Sequence, residues 1–109
     1  MLFIEGEDFA KQAERLLTDS EVYRLQQSLL ENPDIGDLIQ GTGGARKIRV
    51  GLHGRGKRGG ARAVYFYRVS HKAVFFLALY AKNEKADLSA GEKTWIRQEV
   101  EKIKREVYP

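Results

Sequence analysis

Cysteine is absent from the 109 residues of the chain. Its absence excludes disulfides, thiol catalysis and cysteine-based zinc or iron–sulfur sites, and it fits a reducing compartment. No apolar run approaches the length of a transmembrane helix, and the longest, AVFFLALYA at Ala73–Ala81, has the length of a strand. The first ten residues lack the basic and apolar regions of a signal peptide. We therefore expect a cytoplasmic protein with no membrane partner.

Acidic residues are absent from the middle of the chain. Residues 38–83 contain ten Lys/Arg and no Asp or Glu, whereas the two flanking parts hold nine Lys/Arg and all 15 acids. Such charge separation creates a local positive field that attracts polyanions. The pattern favours a nucleic-acid partner and argues against a paired-carboxylate site in the middle of the chain. A solvated basic face on a protein with another task is the alternative.

The helical segments lie on either side of this basic region, and a short strand at Leu2–Ile4 precedes them. Apolar residues recur at helical spacing over residues 8–17. Thr18–Glu21, with the sequence TDSE, fits a capping box that opens a second helix, and Asn32-Pro33 ends it. Ser89–Glu92 forms a second capping box. The helix that it opens has an apolar side of five residues: Trp95, Ile96, Val100, Ile103 and Val107.

The basic region itself is predicted to form strands. In RKIRVGL, residues 46–52, the apolar residues alternate with Lys47 and Arg49, which is typical of a half-buried strand with a basic exposed face. Two further strands are predicted at Arg62–Val69 and Ala73–Ala81. The predicted class is α+β in a single domain over residues 1–109, with two N-terminal helices packed on a small, mainly antiparallel sheet and a C-terminal helix.

A glycine-rich basic loop, GLHGRGKRGGAR, connects the first two of these strands. Gly51-x-x-x-x-Gly56-Lys57 matches most of a P-loop by spacing. However, Arg58 stands where magnesium binding needs Ser or Thr, and a strand rather than a helix follows. Nucleotide hydrolysis is therefore disfavoured. We interpret the loop as one whose Arg55, Lys57 and Arg58 bind several phosphates along a nucleic-acid backbone. A mobile hairpin loop without a ligand is the alternative.

Metal-independent RNA cleavage is the chemistry that these residue types allow. The two histidines, His53 and His71, have no spacing that indicates a metal site, and we expect neither metal nor cofactor. Cleavage by attack of the RNA 2′-hydroxyl requires a base, an acid and cations for the charged phosphorane. Antiparallel neighbours can bring four basic residues together at one end of the sheet: Lys47, Arg49, Arg62 and Lys82.

Three tyrosines of the predicted strands, Tyr65, Tyr67 and Tyr80, could stack on bases. Tyr65 and Tyr67 share a face, and at least one of them is expected in the core. Phe75, Phe76 and Leu77 are predicted core residues.

Three segments, NPDIGDLIQGTGGARKIRV, GKRGGARAVYFY and LYAKNEKADLS, together resemble the RelE/HigB superfamily of toxins from bacterial toxin–antitoxin pairs. The resemblance is closest to the HigB-type branch and covers nearly the whole chain. It implies an endoribonuclease that cleaves translated mRNA in the ribosomal A site, and a cognate antitoxin as partner.

The resemblance also implies functional residues. The catalytic set falls on Lys47, Arg49, Arg62 and Lys82. The resemblance also implies RNA contacts by Lys57 and Arg58, which match the loop of the HigB-type branch, and Asn83 stands where some relatives have arginine. With the residues that the loop and the strands themselves suggest, the predicted RNA-binding set is Arg46, Arg55, Lys57, Arg58, Tyr65, Tyr80 and Asn83. A C-terminal tyrosine that serves as base in some relatives has no clear counterpart, since the final segment offers only Tyr108, so the base and the acid stay unassigned. Two alternatives follow, a non-catalytic nucleic-acid-binding module and a degenerate relative kept for binding its antitoxin.

Overall fold

The computed structural model describes residues 1–52 and 60–106. These residues form three α-helices and a 3-10 helix at Val69–His71, and none of these helices is long and apolar enough to cross a bilayer. The α-helices are α1 (Glu7–Leu16), α2 (Asp19–Glu31) and α3 (Ala90–Arg105). The strands are β1 (Leu2–Glu5), β2 (Asp37–Leu38), β3 (Arg46–Val50), β4 (Ala61–Arg68) and β5 (Ala73–Ala81).

The strands form one sheet in the order β1-β5-β4-β3-β2. The antiparallel arrangement of β3, β4 and β5 is as predicted. Two features were not predicted: β1 lies parallel to β5 at one edge, and the two-residue β2 pairs with β3 at the other. The α+β class is confirmed, and the sheet is mixed but mainly antiparallel.

Both predicted capping boxes are present. The Thr18 hydroxyl accepts a hydrogen bond from the Glu21 amide at 3.2 Å, and the Glu21 carboxylate accepts one from the Thr18 amide at 2.8 Å. Ser89 and Glu92 exchange the equivalent bonds at 3.1 and 2.7 Å. Each box satisfies two amides that a helix start otherwise leaves unbonded. The local sequence thus fixes where α2 and α3 begin.

The sheet has a core on each face. One core lies under α1 and α2 and includes Phe9, Leu25, Leu29, Ala63, Tyr65 and Phe76. The other lies under α3 and includes Val64, Phe66, Phe75, Ile96, Val100 and Ile103. The predicted burial of Phe75, Phe76 and Leu77 is confirmed. Val107, predicted on the apolar side of α3, lies outside the described residues.

The segment GTGG is the turn that joins β2 to β3. Gly41 and Gly43 both have φ near +80°, a left-handed conformation that disfavours side chains with a Cβ. Thr42, fully buried between them, donates its hydroxyl to the Ile39 carbonyl at 2.7 Å and accepts from the Ala45 amide at 3.1 Å. A motif that contributed to the family resemblance therefore has a structural role in forming this turn.

A β-bulge interrupts the pairing of β4 with β5. Val64 is opposite Ala78 and Tyr65 is opposite Phe76, so Leu77 has no partner in β4. One extra residue reverses the face to which the following side chains point. As a result Tyr80 packs with the core under α3, whereas an unbroken alternation would place it under α1 and α2.

Candidate polyanion-binding cleft

A cavity of about 200 Å³ opens at one end of the sheet. We call it the basic cleft. It contains all four side chains of the predicted catalytic set, and the prediction that they meet at one end of the sheet is confirmed. Their catalytic role stays a prediction. The lining residues are Asp37, Lys47, Arg49, Arg62, Tyr80, Lys82, Ala86 and Asp87.

The strand register accounts for this assembly. Arg49 of β3 is opposite Arg62 of β4, and Arg62 is opposite Tyr80 of β5, so three adjacent strands place one residue each in a row. The Lys82 amide donates to the Gly60 carbonyl at 3.0 Å, which extends the strand pairing beyond β5. The bulge at Leu77 is required for the last two positions, because it brings Tyr80 and Lys82 to the face that carries Arg62.

The positive charges of the two arginines in the cleft, Arg49 and Arg62, are scarcely neutralised by other groups in the described part of the chain. Across residues 1–52 and 60–106, Arg49 forms no salt bridge or side-chain hydrogen bond, and Arg62 makes only a 3.4 Å bond to the Ala61 carbonyl. Like charges directly opposite each other in a sheet are destabilising. The cleft is thus a site of unneutralised positive charge, which suits a polyanionic ligand.

Two aspartates line the basic cleft, and sequence reasoning did not place them there. Asp37 directly precedes the acid-free segment 38–83 and Asp87 follows it by four residues, and the fold places both carboxylates beside basic residues of that segment. The Lys47 ammonium lies 3.4 Å from Asp87 Oδ1. The Leu88 amide donates to the same oxygen at 2.7 Å, and these two bonds, the amide first, hold the pKa of Asp87 below its ordinary value. Asp87 belongs to KNEKADLS, a segment that contributes to the family resemblance, and this membership was the one sequence feature that could have pointed to it as a site residue.

Tyr65 is fully buried in the core under α1 and α2, so the prediction that it stacks on RNA bases is wrong. Its hydroxyl donates to the Pro33 carbonyl at 2.7 Å and accepts from the Gly36 amide at 3.0 Å. Burial raises the pKa of Tyr65. Its hydroxyl anchors the connection from α2 to β2. The neighbouring Tyr67 packs against the same core, on the face away from the basic cleft.

The aromatic ring of Tyr80 is also buried. Tyr80 is 6% exposed, packs in the core under α3, and has the Lys85 ammonium 5.1 Å from its ring centroid. The stacking prediction for Tyr80 is therefore corrected, since a buried ring offers no face to a base. Burial raises the pKa of Tyr80, and the charge of Asp87 acts in the same direction. Tyr80 lines the cleft as a protonated phenol at neutral pH.

Arg46 is separated from the basic cleft by the alternation of β3. Its guanidinium donates to the carbonyls of Asp34 at 3.0 Å and Gly36 at 2.7 Å, and it lies 3.7 Å from the Asp34 carboxylate. These bonds fix the connection from α2 to β2, and Arg46 does not line the basic cleft, so its assignment to RNA binding stays a prediction. Asn83 is exposed in the turn after β5 and does not line the cleft. The predicted RNA contacts Arg55, Lys57 and Arg58, like His53, lie outside the described residues.

Three larger cavities differ from the cleft in charge, and the one of about 460 Å³ beside α1 and α2 is lined by acidic residues but by no Lys or Arg. Another, of about 530 Å³ between α1, β5 and α3, contains charges that are paired with each other: Arg15 binds Glu84 through two hydrogen bonds of 2.7 and 3.0 Å, and Lys85 binds Glu92. The third, of about 300 Å³ between α2 and β3, shares Arg49 with the basic cleft and adds Arg24 and Glu21. The basic cleft is distinguished from all three by the largest excess of cations over carboxylates, four against two.

The fold and the cleft define a class, a small α+β protein with a basic site at one end of a mainly antiparallel sheet. The family described as "RelE toxin of RelE / RelB toxin-antitoxin system" matches residues 3–106. The chain therefore belongs to the RelE toxin family.

Solved structures of E. coli proteins have the same fold. The chain is similar to a double arginine-to-alanine mutant of E. coli toxin RelE in the free state, with a TM-score of 0.56 and 20% identity over 78% of this chain and 86% of that one. It is also similar to a chain of the intact E. coli RelBE toxin–antitoxin complex, with a TM-score of 0.52 and 23% identity over 72% of this chain and 92% of that one. At this level of identity the similarity shows the fold.

Proposed function

We propose that this toxin is an endoribonuclease that cleaves messenger RNA on the ribosome, with the basic cleft as its active site. The observation that carries the proposal is the pair of arginines, Arg49 and Arg62, that face each other across β3 and β4 without a carboxylate partner in the part of the chain described. Membership of the RelE toxin family supports it. Assignment to the HigB-type branch stays a prediction from the sequence segments that resemble it.

A phosphate is the ligand that best fits the two arginines. A guanidinium presents two parallel N–H donors that match two phosphate oxygens, and it remains charged at any physiological pH. The side chains of Arg49 and Arg62 stem from adjacent strands, so one phosphodiester can lie between them. A bound phosphate would offset the repulsion that the sheet otherwise sustains. The scissile phosphate of an RNA strand meets these requirements.

The reaction that we assign to the cleft uses the RNA's own 2′-hydroxyl. The 2′-oxygen attacks phosphorus, the 2′-proton goes to a base, and the bond to the 5′-oxygen breaks as that oxygen is protonated. Negative charge develops on the phosphorane oxygens, where fixed cations stabilise it most effectively. We assign Arg49 and Arg62 to the phosphate clamp, and Lys47 and Lys82 to charge stabilisation or proton transfer. No cofactor is required.

The geometry narrows the choice of base. The pKa of Tyr80 is raised by burial, so its phenol stays protonated at neutral pH and does not act as a base. Tyr80 can donate a hydrogen bond to a phosphate or leaving oxygen. The remaining proton-carrying groups that line the cleft are Lys47, Lys82, Asp37 and Asp87.

The described lining of the basic cleft has no exposed aromatic ring, and this supports a requirement for the ribosome. In the described part of the chain the cleft offers cations for phosphates, but Tyr65 and Tyr80 have buried rings. Stacking on aromatic side chains contributes about 1–3 kcal/mol per base in proteins that bind free single strands. Without it, free RNA is held chiefly by charge, and a message positioned by the ribosome is the better substrate.

We also propose an antitoxin as partner, in keeping with the family and with the toxin–antitoxin complex that one structural relative forms. The unneutralised cations of the basic cleft suit an acidic segment of such a partner. Binding there would exclude RNA. Copurification with the product of the neighbouring gene, and loss of cleavage on adding it, would test this part of the proposal.

The test of the function is an in vitro translation reaction to which purified protein is added, with message 5′ ends mapped by primer extension. We expect cleavage in translated regions for the wild type and none for Lys47→Ala/Arg62→Ala. The matched control is Lys11→Ala/Arg97→Ala, which removes the same charge from exposed i,i+4 pairs on α1 and α3 and should cleave normally.

The same experiment separates the two alternatives. A non-catalytic nucleic-acid-binding protein would leave the message intact while binding RNA with a salt dependence that weakens in the double variant. A degenerate relative would neither cleave nor bind RNA and would retain only its antitoxin. Intact messages with the wild-type protein would overturn the proposed function.

A further inference from the structure

We propose that Asp87 is a positioning residue, whose carboxylate holds the Lys47 ammonium in place beside the scissile phosphate. The inference rests on the proposed function and extends it to a residue that neither sequence pattern nor family membership assigns. The geometry that carries it is the contact of 3.4 Å between Lys47 Nζ and Asp87 Oδ1 at the wall of the basic cleft.

Asp87 is itself held by the backbone. It lies in the connection between β5 and α3, two residues before Ser89, which caps α3. The adjacent Leu88 amide donates to Asp87 Oδ1 at 2.7 Å, and the Leu88 side chain is buried in the core under α3. The carboxylate therefore has a fixed position relative to both the sheet and the helix.

Lys47 needs such an anchor. Lysine carries a point charge on a flexible four-carbon stem, whereas arginine presents a preorganised fork. The Lys47 side chain is 32% exposed and shares the cleft with Arg49, Arg62 and Lys82, all of which repel an ammonium. Among the described residues its one salt bridge is with Asp87, although Asp37 is its register partner on β2.

The alternative role for Asp87, general base, is chemically less suited to it. A general base is most effective when its pKa is close to the working pH. The Leu88 amide and then Lys47 hold the pKa of Asp87 below its ordinary value, so the carboxylate is a weak base and a stable counter-ion. Both of the hydrogen bonds found for it end on Oδ1, the oxygen that faces Lys47.

The test measures the rate of message cleavage by Asp87→Asn and by the wild type, up to saturating concentrations of ribosome-bound message. Asparagine keeps a carbonyl oxygen for the Leu88 amide but has no charge to hold Lys47. We expect kcat to fall about 10-fold, less than the loss of a stabilising cation itself would cause, with KM changed less than about 3-fold and an unaltered melting temperature. Glu101→Gln removes the same charge from an exposed pair on α3 and serves as the control.

A double-mutant cycle shows whether Asp87 acts through Lys47. We expect Asp87→Asn to cause no further loss when it is added to Lys47→Ala. Equal losses in both backgrounds would overturn the proposal, because they would assign Asp87 a role independent of Lys47, as base or as structural cap. An equal effect of Asp37→Asn would also overturn it, since the charge of the cleft and not the Lys47 contact would then matter.

Failure of the proposed function gives a different result. In that case the wild type leaves messages intact, and the parent and the variants do not differ. If the wild type cleaves and Asp87→Asn cleaves as fast, only the positioning role is overturned.

Discussion

Arg62 and Arg68 lie six residues apart on the same face of β4, yet they have opposite relations to the rest of the protein. Arg68 donates to the carbonyls of Ile103 and Lys104, the last turn of α3. Arg62 has the basic cleft before it and only a 3.4 Å bond to the Ala61 carbonyl. One arginine completes the fold, and the other has no comparable structural partner among the described residues.

The difference lies in what α3 covers. The helix packs over Val64 and Phe66 and ends near Arg68, so its unbonded terminal carbonyls meet a cation that suits the negative end of the helix dipole. It leaves the other end of β4 uncovered. Residue type alone therefore does not distinguish a structural arginine from a ligand-binding one, whereas the partners of its guanidinium do.

The largest effect is expected for Arg62→Ala. Loss of one preorganised cation at a developing phosphorane should reduce cleavage in the translation assay by about 10²-fold or more. The free energy of unfolding in urea should stay the same or rise, because the substitution removes the repulsion with Arg49. Arg97→Ala is the matched control. Normal cleavage by Arg62→Ala would contradict the role proposed for Arg62 in catalysis.

Arg68→Ala should show the reverse. The two α3 carbonyls lose a charged donor, and we expect the free energy of unfolding to fall by about 1.5–3 kcal/mol, as measured by urea denaturation. At a temperature where the variant is folded, kcat should match the wild type. Arg68→Lys keeps the charge but not the forked guanidinium, so its free energy of unfolding should lie between those of the wild type and Arg68→Ala. A stable Arg68→Ala with reduced kcat would contradict the division of roles.

Tyr65→Phe tests whether a tyrosine first predicted to bind RNA is structural. The change leaves the ring in the core but removes the hydroxyl that bonds Pro33 and Gly36. We expect the free energy of unfolding to fall by about 1–2 kcal/mol in thermal or urea unfolding, because a buried amide and a partly buried carbonyl lose their partner. Cleavage by the folded variant should be unchanged. Tyr23→Phe, at an exposed position on α2, is the control and should be neutral.

The smallest effect concerns the other end of α3 and depends on pH. The pKa of Glu92 is lowered by its bond to Lys85 and then by the Ser89 amide. A carboxylate whose pKa is lower in the folded state stabilises the fold above its ordinary pKa, 4.5, and loses this contribution as the pH falls through the folded-state value. Glu92→Gln should therefore melt slightly lower at neutral pH and approach the wild type in acid. A constant difference at every pH would assign the effect to packing.

Much of the fold could be predicted because its signals are local. Capping boxes located the starts of α2 and α3, and alternation located β3 and placed Lys47 and Arg49 away from the core. By contrast, β2 consists of only two residues, Asp37–Leu38, which are too few to show a period. The parallel pairing of β1 with β5 joins residues about 70 positions apart, and no local pattern reports it.

The candidate site was predicted in part for the same reason. Four basic residues could be expected at one end of an antiparallel sheet, and they meet there. Tyr65 was misassigned, and the structural bonds of Arg46 were missed, because the sequence does not show that the connection from α2 to β2 folds back to take up their polar groups. Asp87 was missed because its contact with Lys47 spans 40 positions.

The sequence by itself determined the helix starts, the central strands and the segregation of acids from the basic middle, since each depends on residues a few positions apart. The tertiary structure decided which cations remain without partners. It did so through the bulge at Leu77, which turns Tyr80 and Lys82 toward Arg62, and through the position of α3, which covers Arg68 and leaves Arg62 open. Both depend on how two cores pack against one sheet, and side chains distant in sequence settle that together.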